Sequence, residues 1–306
     1  MTKIRFDNRV AVVTGAGGGL GRAYALMLAN RGAKVVVNDV GADTDGSGSN
    51  ATPAQQVVNE INNSGGEAVA NYDSVSEWES ARRIIESAID NFGRVDILIN
   101  NAGILRDKSL LKMEIEDFCT VVDVHLLGTF FCTKAAFPYM KEQGYGRIIS
   151  ISSAAGLYGN YGQTNYGAAK MGIVGLMNSV KIEGTRYGIS ANTVVPFAGT
   201  RMTATVMPSD EVKKVKPEYV TPIVGYLSSE DCKGTGKVFT AGGGYFGRAA
   251  VMEGQGCYYD PDETITVEMV AKKIDNIKDL QSAREFDSAI KQTANILSRI
   301  IEKSKN

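Results

Sequence analysis

The segment TNYGAAKMG, residues 164–172, sets Tyr166 and Lys170 four residues apart in a stretch with helical patterning. That spacing stacks a phenol and an ammonium on one helix face. A free tyrosine, with a pKa near ~10, is a poor base at neutral pH. A neighbouring positive charge favours the phenolate, so the pair is expected to lower the Tyr166 pKa and make it an acid–base group. The plainer alternative is a solvated surface contact. Gly167, Ala168 and Ala169 keep the intervening face small, which is expected to leave room for a bound molecule.

A second stretch, VVTGAGGGLGRA (residues 12–23), puts Gly15, Gly19 and Gly21 between an apolar run and a helical pattern. Glycines there let the chain turn sharply and bring backbone N–H groups close to a pyrophosphate at a helix N-terminus. Asp39 ends the next apolar run, 18 residues beyond Gly21. A carboxylate at that distance accepts hydrogen bonds from adenosine ribose hydroxyls and repels a 2′-phosphate, which favours NAD over NADP. The competing reading of Asp39 is a helix cap or turn acid.

These residues need a scaffold, and the patterning supplies one. VAVVT (10–14), KVVVND (34–39), AVANYD (68–73), VDILIN (95–100), RIISIS (147–152), ISANTVVP (189–196) and KVFTAG (237–242) read as strands buried on both faces. Helical patterns lie near 20–31, 53–64, 77–91, 114–142, 165–186 and 217–228. Strand alternating with helix implies right-handed crossovers and an α/β fold, a doubly wound parallel sheet of about seven strands. That unit is expected to span 1–246. Residues 247–306, with no clear strand and an apolar stripe of Ile290, Leu297, Ile300 and Ile301, read as a helical appendage docked on it. GADTDGSGSN (41–50) reads as a long surface loop.

Composition closes off other classes. The 306 residues are 43% hydrophobic and 22% charged, ordinary for a globular chain. A formal net charge of −1 supplies no field toward nucleic acid or anionic membrane. Cys119, Cys132, Cys232 and Cys257 are scattered and read as buried free thiols, with no metal site expected. No stretch is apolar enough for a membrane span, the charged start lacks a secretory pattern, and KSKN is not a peroxisomal address.

The spacing T-G-x-x-x-G-x-G from Thr14 to Gly21, NNAG at 100–103, Asp73 in YDSV, and Ser153 thirteen residues before Tyr166 resemble the short-chain dehydrogenase/reductase family over nearly the whole chain. The resemblance implies a Rossmann-type fold. It also implies catalysis by Ser153, Tyr166 and Lys170, in which Tyr166 moves the substrate proton, Ser153 holds the substrate oxygen and Lys170 binds the nicotinamide ribose. The dinucleotide contacts it implies are Gly15, Gly19, Leu20, Gly21, Asp39, Asp73 at the adenine amino group, Asn100, Ala102, Gly103, Tyr166, Lys170 and Thr200. Two departures stand out: His125, the only histidine, occupies the place of a family asparagine in a proton relay, and Phe197 follows Pro196 where glycine is usual.

VVVNDVG with its long loop, GGEAVANYDSV, NNAGILRDKS, YGRIISISSAAGLYGNYGQTNYGAAK and AGTRMTATVMP are similar to the (3R)-hydroxyacyl-CoA dehydrogenase branch carried in peroxisomal multifunctional enzymes. That likeness implies an acyl-CoA substrate, with Lys213, Lys214 and Lys216 able to meet coenzyme A phosphates, and a homodimer or larger assembly through helices 114–142 and 165–186. It implies a peroxisomal location for a domain of such an enzyme and a cytoplasmic one otherwise. A hydrophobic secondary alcohol such as a 17β-hydroxysteroid is the alternative substrate. A catalytically idle NAD-binding assembly subunit is the alternative role.

Overall fold

The computed structural model describes residues 3–199, 214–260 and 262–303. They divide into two compact units, residues 1–248 and 249–306. In the first, eight strands form one sheet in the order β3-β2-β1-β4-β5-β6-β7-β8. The strands are β1 (Val10–Thr14), β2 (Lys34–Asn38), β3 (Glu67–Asn71), β4 (Ile97–Asn100), β5 (Gly146–Ile151), β6 (Ile189–Pro196), β7 (Val238–Gly242) and β8 (Tyr245–Ala249). β1 through β7 pair in parallel; Val12, for example, faces Val36 on one side and Leu98 on the other. Every residue of β1 and β4 is buried, as expected for strands covered on both faces. One apolar layer packs Tyr24, Leu28, Val57 and Ile61 on the sheet, and the other packs Ile84, Ile85, Met140, Ile173 and Met177.

β8 is the strand missing from the sequence reading. Gly243 and Gly244, both at positive φ, make the two-residue turn that folds it back beside β7. Its residues are mostly exposed, so it lacks the apolar run that marks the inner strands.

The helical stretch expected at 114–142 is three pieces: α4 (Ile115–Val122), a π-helical turn at Asp123–Leu127, and α5 (Gly128–Gln143). The π turn carries His125, whose carbonyl accepts a 2.6 Å hydrogen bond from Thr129 Oγ1. A short helix, α6 (Ala154–Tyr158), precedes α7 (Thr164–Gly184). The two pack closely: a Cβ on Gly156 would lie 2.8 Å from Lys170 Cβ.

The second unit holds short helices at Val267–Lys272 and Ile274–Lys278 and a longer one at Ala289–Lys303. An antiparallel bridge pairs Glu253 with Arg284. Ile290, Leu297 and Ile301 of the long helix are exposed. Of the four cysteines only Cys132 and Cys232 are buried; Cys119 is exposed and Cys257 intermediate, which corrects the expectation of buried thiols. No helix among the described residues is long and apolar enough to cross a membrane.

Candidate active site

The strand order reverses between β1 and β4, and ligands of open α/β sheets bind beyond the strand C-termini at such a switch point. A cavity of about 420 Å³ lies there, lined by segments that follow β1, β2, β3, β4, β5 and β6. Thr14, at the end of β1, ties its walls together. Its Oγ1 accepts from the N–H groups of Asn101 (3.0 Å) and Ala102 (3.1 Å), and Asn101 Nδ2 donates back to the carbonyls of Thr14 and Gly15. This closeness demands glycine: a Cβ on Gly15, which sits at φ +61°, would come within 2.7 Å of Ala102 Cα.

The glycine turn leads into α1 (Gly19–Ala29), whose first turn is capped by no side chain. Its N-terminal N–H groups, together with the helix dipole, suit an anion. Gly15, Gly19 and Leu20 line the cavity, whereas Gly21 does not. A Cβ on Gly21 would fall 2.2 Å from the Gly15 carbonyl oxygen, so its absence lets the helix close on the turn.

Asp39, which also lines the cavity, accepts 2.7 Å hydrogen bonds from Gly17 N–H on Oδ2 and Gly41 N–H on Oδ1. A carboxylate has about four acceptor sites, so two remain for sugar hydroxyls. Asp73 lines the cavity with Oδ1 held by Arg83 (2.5 and 2.8 Å) and Oδ2 by Asn71 Nδ2 (3.0 Å).

Of NNAG, Ala102 and Gly103 line the cavity, but Asn100 lies off it. The Asn100 amide is buried within the sheet layer, donating to Thr133 Oγ1 and Ser150 Oγ at 3.2 Å. Asn101, the second residue of the NNAG stretch expected to border the adenosine, is the asparagine at the cavity. Period-two alternation past the strand end was the available signal. Thr200 and Lys213 lie outside the described residues. Lys214 and Lys216 are exposed. Phe197 is half exposed while its neighbours Pro196 and Ala198 line the cavity.

Ser153, Tyr166 and Lys170 meet on one wall of the cavity. Ser153 caps α6, accepting from Ala155 N–H at 3.2 Å, and its hydroxyl lies near enough to the Tyr166 phenol to favour the phenolate. Lys170 is buried, its Nζ donating to the Ile151 carbonyl at 2.7 Å and lying 5.5 Å from the Tyr166 ring centroid. Gly167, Ala168 and Ala169 do not line the cavity. Ala169 instead packs against Ile104 and Val121, a Cβ on Gly167 would come within 3.1 Å of the Ala155 carbonyl oxygen, and Ala168 is exposed.

In the chain by itself the neighbouring lysine does not lower the Tyr166 pKa; the positive nicotinamide, the other charge expected to favour its phenolate, comes only with the cofactor. Burial pushes the Tyr166 phenol above the usual tyrosine value, and the nearby Ser153 hydroxyl pulls the other way without prevailing. Burial acts harder on the neighbouring ammonium, bringing Lys170 from 10.5 to about 7. Removal from water disfavours whichever form is charged, so the phenol keeps its proton and the ammonium loses one readily. The pair therefore holds one mobile proton near neutrality, with the lysine as its responsive member.

His125 is buried, with Nε2 3.0 Å from Ile104 N and 2.8 Å from Ile104 O. Its Nδ1 has no partner among the described residues. Burial, then the charge of Lys170, holds it well below the ordinary histidine range, so it is neutral at pH 7. Its ring stands edge-on to Tyr166 at 5.1 Å and fills the space where a Cβ on Gly103 would sit, 2.2 Å from Cε1. It thus acts first as a packed wall behind Tyr166.

A doubly wound sheet with a glycine turn at an uncapped helix start, a carboxylate with spare acceptor sites and a tyrosine–lysine pair on one cavity is the arrangement of a nucleotide-dependent oxidoreductase. Comparison with known proteins makes the class specific: residues 9–211 match the family model for short chain dehydrogenase, and the chain belongs to that family. It is 48% identical over 305 residues to peroxisomal multifunctional enzyme type 2 of Drosophila melanogaster, covering 99% of this chain and 50% of that one. The solved structure of that full-length enzyme superposes with a TM-score of 0.82 at 43% identity, covering 98% of this chain and 50% of that one. A 3-oxoacyl-[acyl-carrier-protein] reductase of Synechocystis sp. is 40% identical over 245 residues, 77% of this chain and 96% of the relative. The chain spans about half the length of the multifunctional enzyme it matches. It is an oxidoreductase of a family that uses nicotinamide dinucleotides.

Proposed function

We propose that this protein oxidises (3R)-3-hydroxyacyl-CoA thioesters to 3-oxoacyl-CoA with NAD, in a homodimer or larger assembly. The observation that carries the reading is the single cavity bordered by Asp39 on one side and by Ser153, Tyr166 and Lys170 on another. The relative named peroxisomal multifunctional enzyme type 2, matched along 99% of this chain, supports a peroxisomal location, with a cytoplasmic one as the alternative, while the acyl-CoA substrate rests on the resemblance carried by the sequence motifs.

The glycine turn and the uncapped start of α1 suit a pyrophosphate, and Asp39 has acceptor capacity left for a ribose. Bound there, NAD supplies the acceptor for the hydride from the carbinol carbon. Ser153 holds the substrate oxygen through its hydroxyl. With its own proton passed toward the neutral Lys170 amine, Tyr166 takes the substrate hydroxyl proton at its phenolic oxygen as the carbonyl forms. Lys170, at about 7, takes up positive charge beside the phenol when that eases the transfer and passes a proton on afterwards. The wall of buried His125 and Ile104, with half-buried Val124 beside them, keeps water from the reacting end.

The same groups would serve a 17β-hydroxysteroid, because they act only on a secondary alcohol. Reduction of a carrier-bound 3-oxoacyl group with NADPH is opposed by Asp39, whose charge repels a 2′-phosphate. The deciding test is a turnover screen. It runs NAD and NADP against short, long and branched 3-hydroxyacyl-CoA of both configurations, a 17β-hydroxysteroid, and 3-oxoacyl carrier protein in the reductive direction. Highest kcat/KM for a (3R)-thioester with NAD is expected. Preference for the steroid or the carrier protein would replace the reading, and no turnover with any of them would support the idle subunit.

A further inference from the structure

The loop at residues 41–50 is longer than a strand–helix connection needs, and its Ala42, Asp43, Thr44 and Gly46 line the cavity on the Asp39 side. It is closed at the neck by Asn50 N–H donating to the Val40 carbonyl at 3.0 Å. Its tip is tied to the segment after NNAG. Leu105 N–H donates to the Thr44 carbonyl at 2.8 Å, and Arg106 Nε donates to the Asp45 carbonyl at 2.9 Å.

The same segment is bound at its other side to the start of α7. Asn165 Nδ2 donates to the Arg106 carbonyl at 2.9 Å and to the Asp117 carbonyl at 3.3 Å. Lys108 N–H donates to the Gly162 carbonyl at 2.9 Å, and Gln163 Nε2 donates to Asp107 Oδ2 at 2.7 Å. Asn165 has no exposed surface, and its Oδ1 accepts the N–H of Tyr166 at 2.8 Å. That N–H belongs to the first turn of the helix, where the backbone offers no partner. One buried amide therefore joins the backbone of the catalytic tyrosine to Arg106. A second link runs from Ile104 through the His125 ring to the Tyr166 ring.

We propose that residues 104–108 are a strap that couples occupancy of the adenosine end of the cavity to the placement of Tyr166, with Asn165 as the positioning residue at the catalytic end and Arg106 as the tie at the cofactor end. The inference rests on the proposed dinucleotide reading. The physical basis is continuity of hydrogen bonds between two walls of one cavity, exposed at Arg106–Asp45 and part-buried at Asn165; transmission along them is a matter of coupling energy, which a mutant cycle measures.

The test uses the full chain and ADP-ribose, which carries the adenosine and pyrophosphate without nicotinamide. Amide hydrogen exchange is followed in peptides covering 15–21, 41–50, 104–108 and 164–168. In the wild type ADP-ribose is expected to slow exchange in all four. In Arg106→Met, which keeps the stem and removes the donors, protection of 15–21 persists and that of 164–168 falls to the level of the free protein. Asn165→Ala is expected to bind NADH within about threefold of wild type while kcat drops at least tenfold and the pH profile of kcat shifts. The double variant should be no slower than Asn165→Ala within about twofold. Multiplicative losses in kcat, or undiminished protection of 164–168 in Arg106→Met, would overturn the strap. Should Asn165→Ala not fold, the exchange pattern of Arg106→Met decides alone. Absence of protection even at 15–21 in the wild type would refute the dinucleotide reading, and the strap with it.

Discussion

Replacing Lys170 with methionine should destroy turnover and yet stabilise the protein at acid pH. The side chain is 3% exposed, and its ammonium is burdened by burial to a pKa of about 7 against 10.5. Below pH 7 both folded and unfolded chains carry the proton, so the native state bears the whole penalty. At about 1.4 kcal/mol per tenfold, that penalty is on the order of 5 kcal/mol. Between pH 7 and 10.5 the native chain has shed the proton while the unfolded chain still holds it, so wild-type stability rises with pH across that window. Methionine fills similar space without charge but orphans the Ile151 carbonyl, which costs about 1–3 kcal/mol. The net gain at pH 6 is about 2–4 kcal/mol, or a Tm higher by about 5–10 °C for a domain of this size. By pH 9 the wild-type penalty shrinks to about 2 kcal/mol and the lost hydrogen bond cancels it. Melting curves of both proteins at pH 6 and pH 9, without dinucleotide, measure the difference. A variant that melts below wild type by the same margin at both pH values would refute the reasoning.

Tyr166→Phe should keep NADH affinity, by fluorescence titration, while turnover falls on the order of 10²-fold or more; unchanged rates would remove Tyr166 from the chemistry. Asp39→Ala should weaken NAD and narrow the NAD/NADP preference in kcat/KM, since it takes away the charge that opposes a 2′-phosphate; a constant ratio would locate the ribose contact elsewhere. Light scattering at micromolar concentration should give a dimer or larger, because Ile115, Phe118, Phe130, Met171 and Ile182 stand exposed on the helices expected to meet a second copy; a monomer counts against that interface. Truncation after Arg248, at the boundary between the two units, should lower Tm and promote aggregation if residues 249–306 dock on the first unit; melting curves equal to those of the full chain would sink the docking idea.

Much of this molecule was legible because its signals are local. A strand buried on both faces must be apolar throughout, so VAVVT and the core of VDILIN announced themselves, and a four-residue spacing places Tyr166 and Lys170 on one helix face whatever surrounds them. Gly15 was legible too, since a strand-to-helix turn at positive φ leaves few other choices. What escaped depended on partners distant in the chain. Asn100 and Asn101 are chemically identical, and only the pleat at the end of β4 turned one into the sheet layer and the other to the cavity. Gly167 and Ala169 proved to face neighbouring segments and not the cavity, because nothing in GAAK states what lies opposite. The sign of the tyrosine shift shows the limit most sharply. Spacing brings a positive charge near the phenol, but how far water is excluded from both is settled by α6, the π turn with His125, and the strand ends packing around them. Desolvation is a property of the assembled surroundings, and here it outweighed the pairwise attraction that the sequence had put in view.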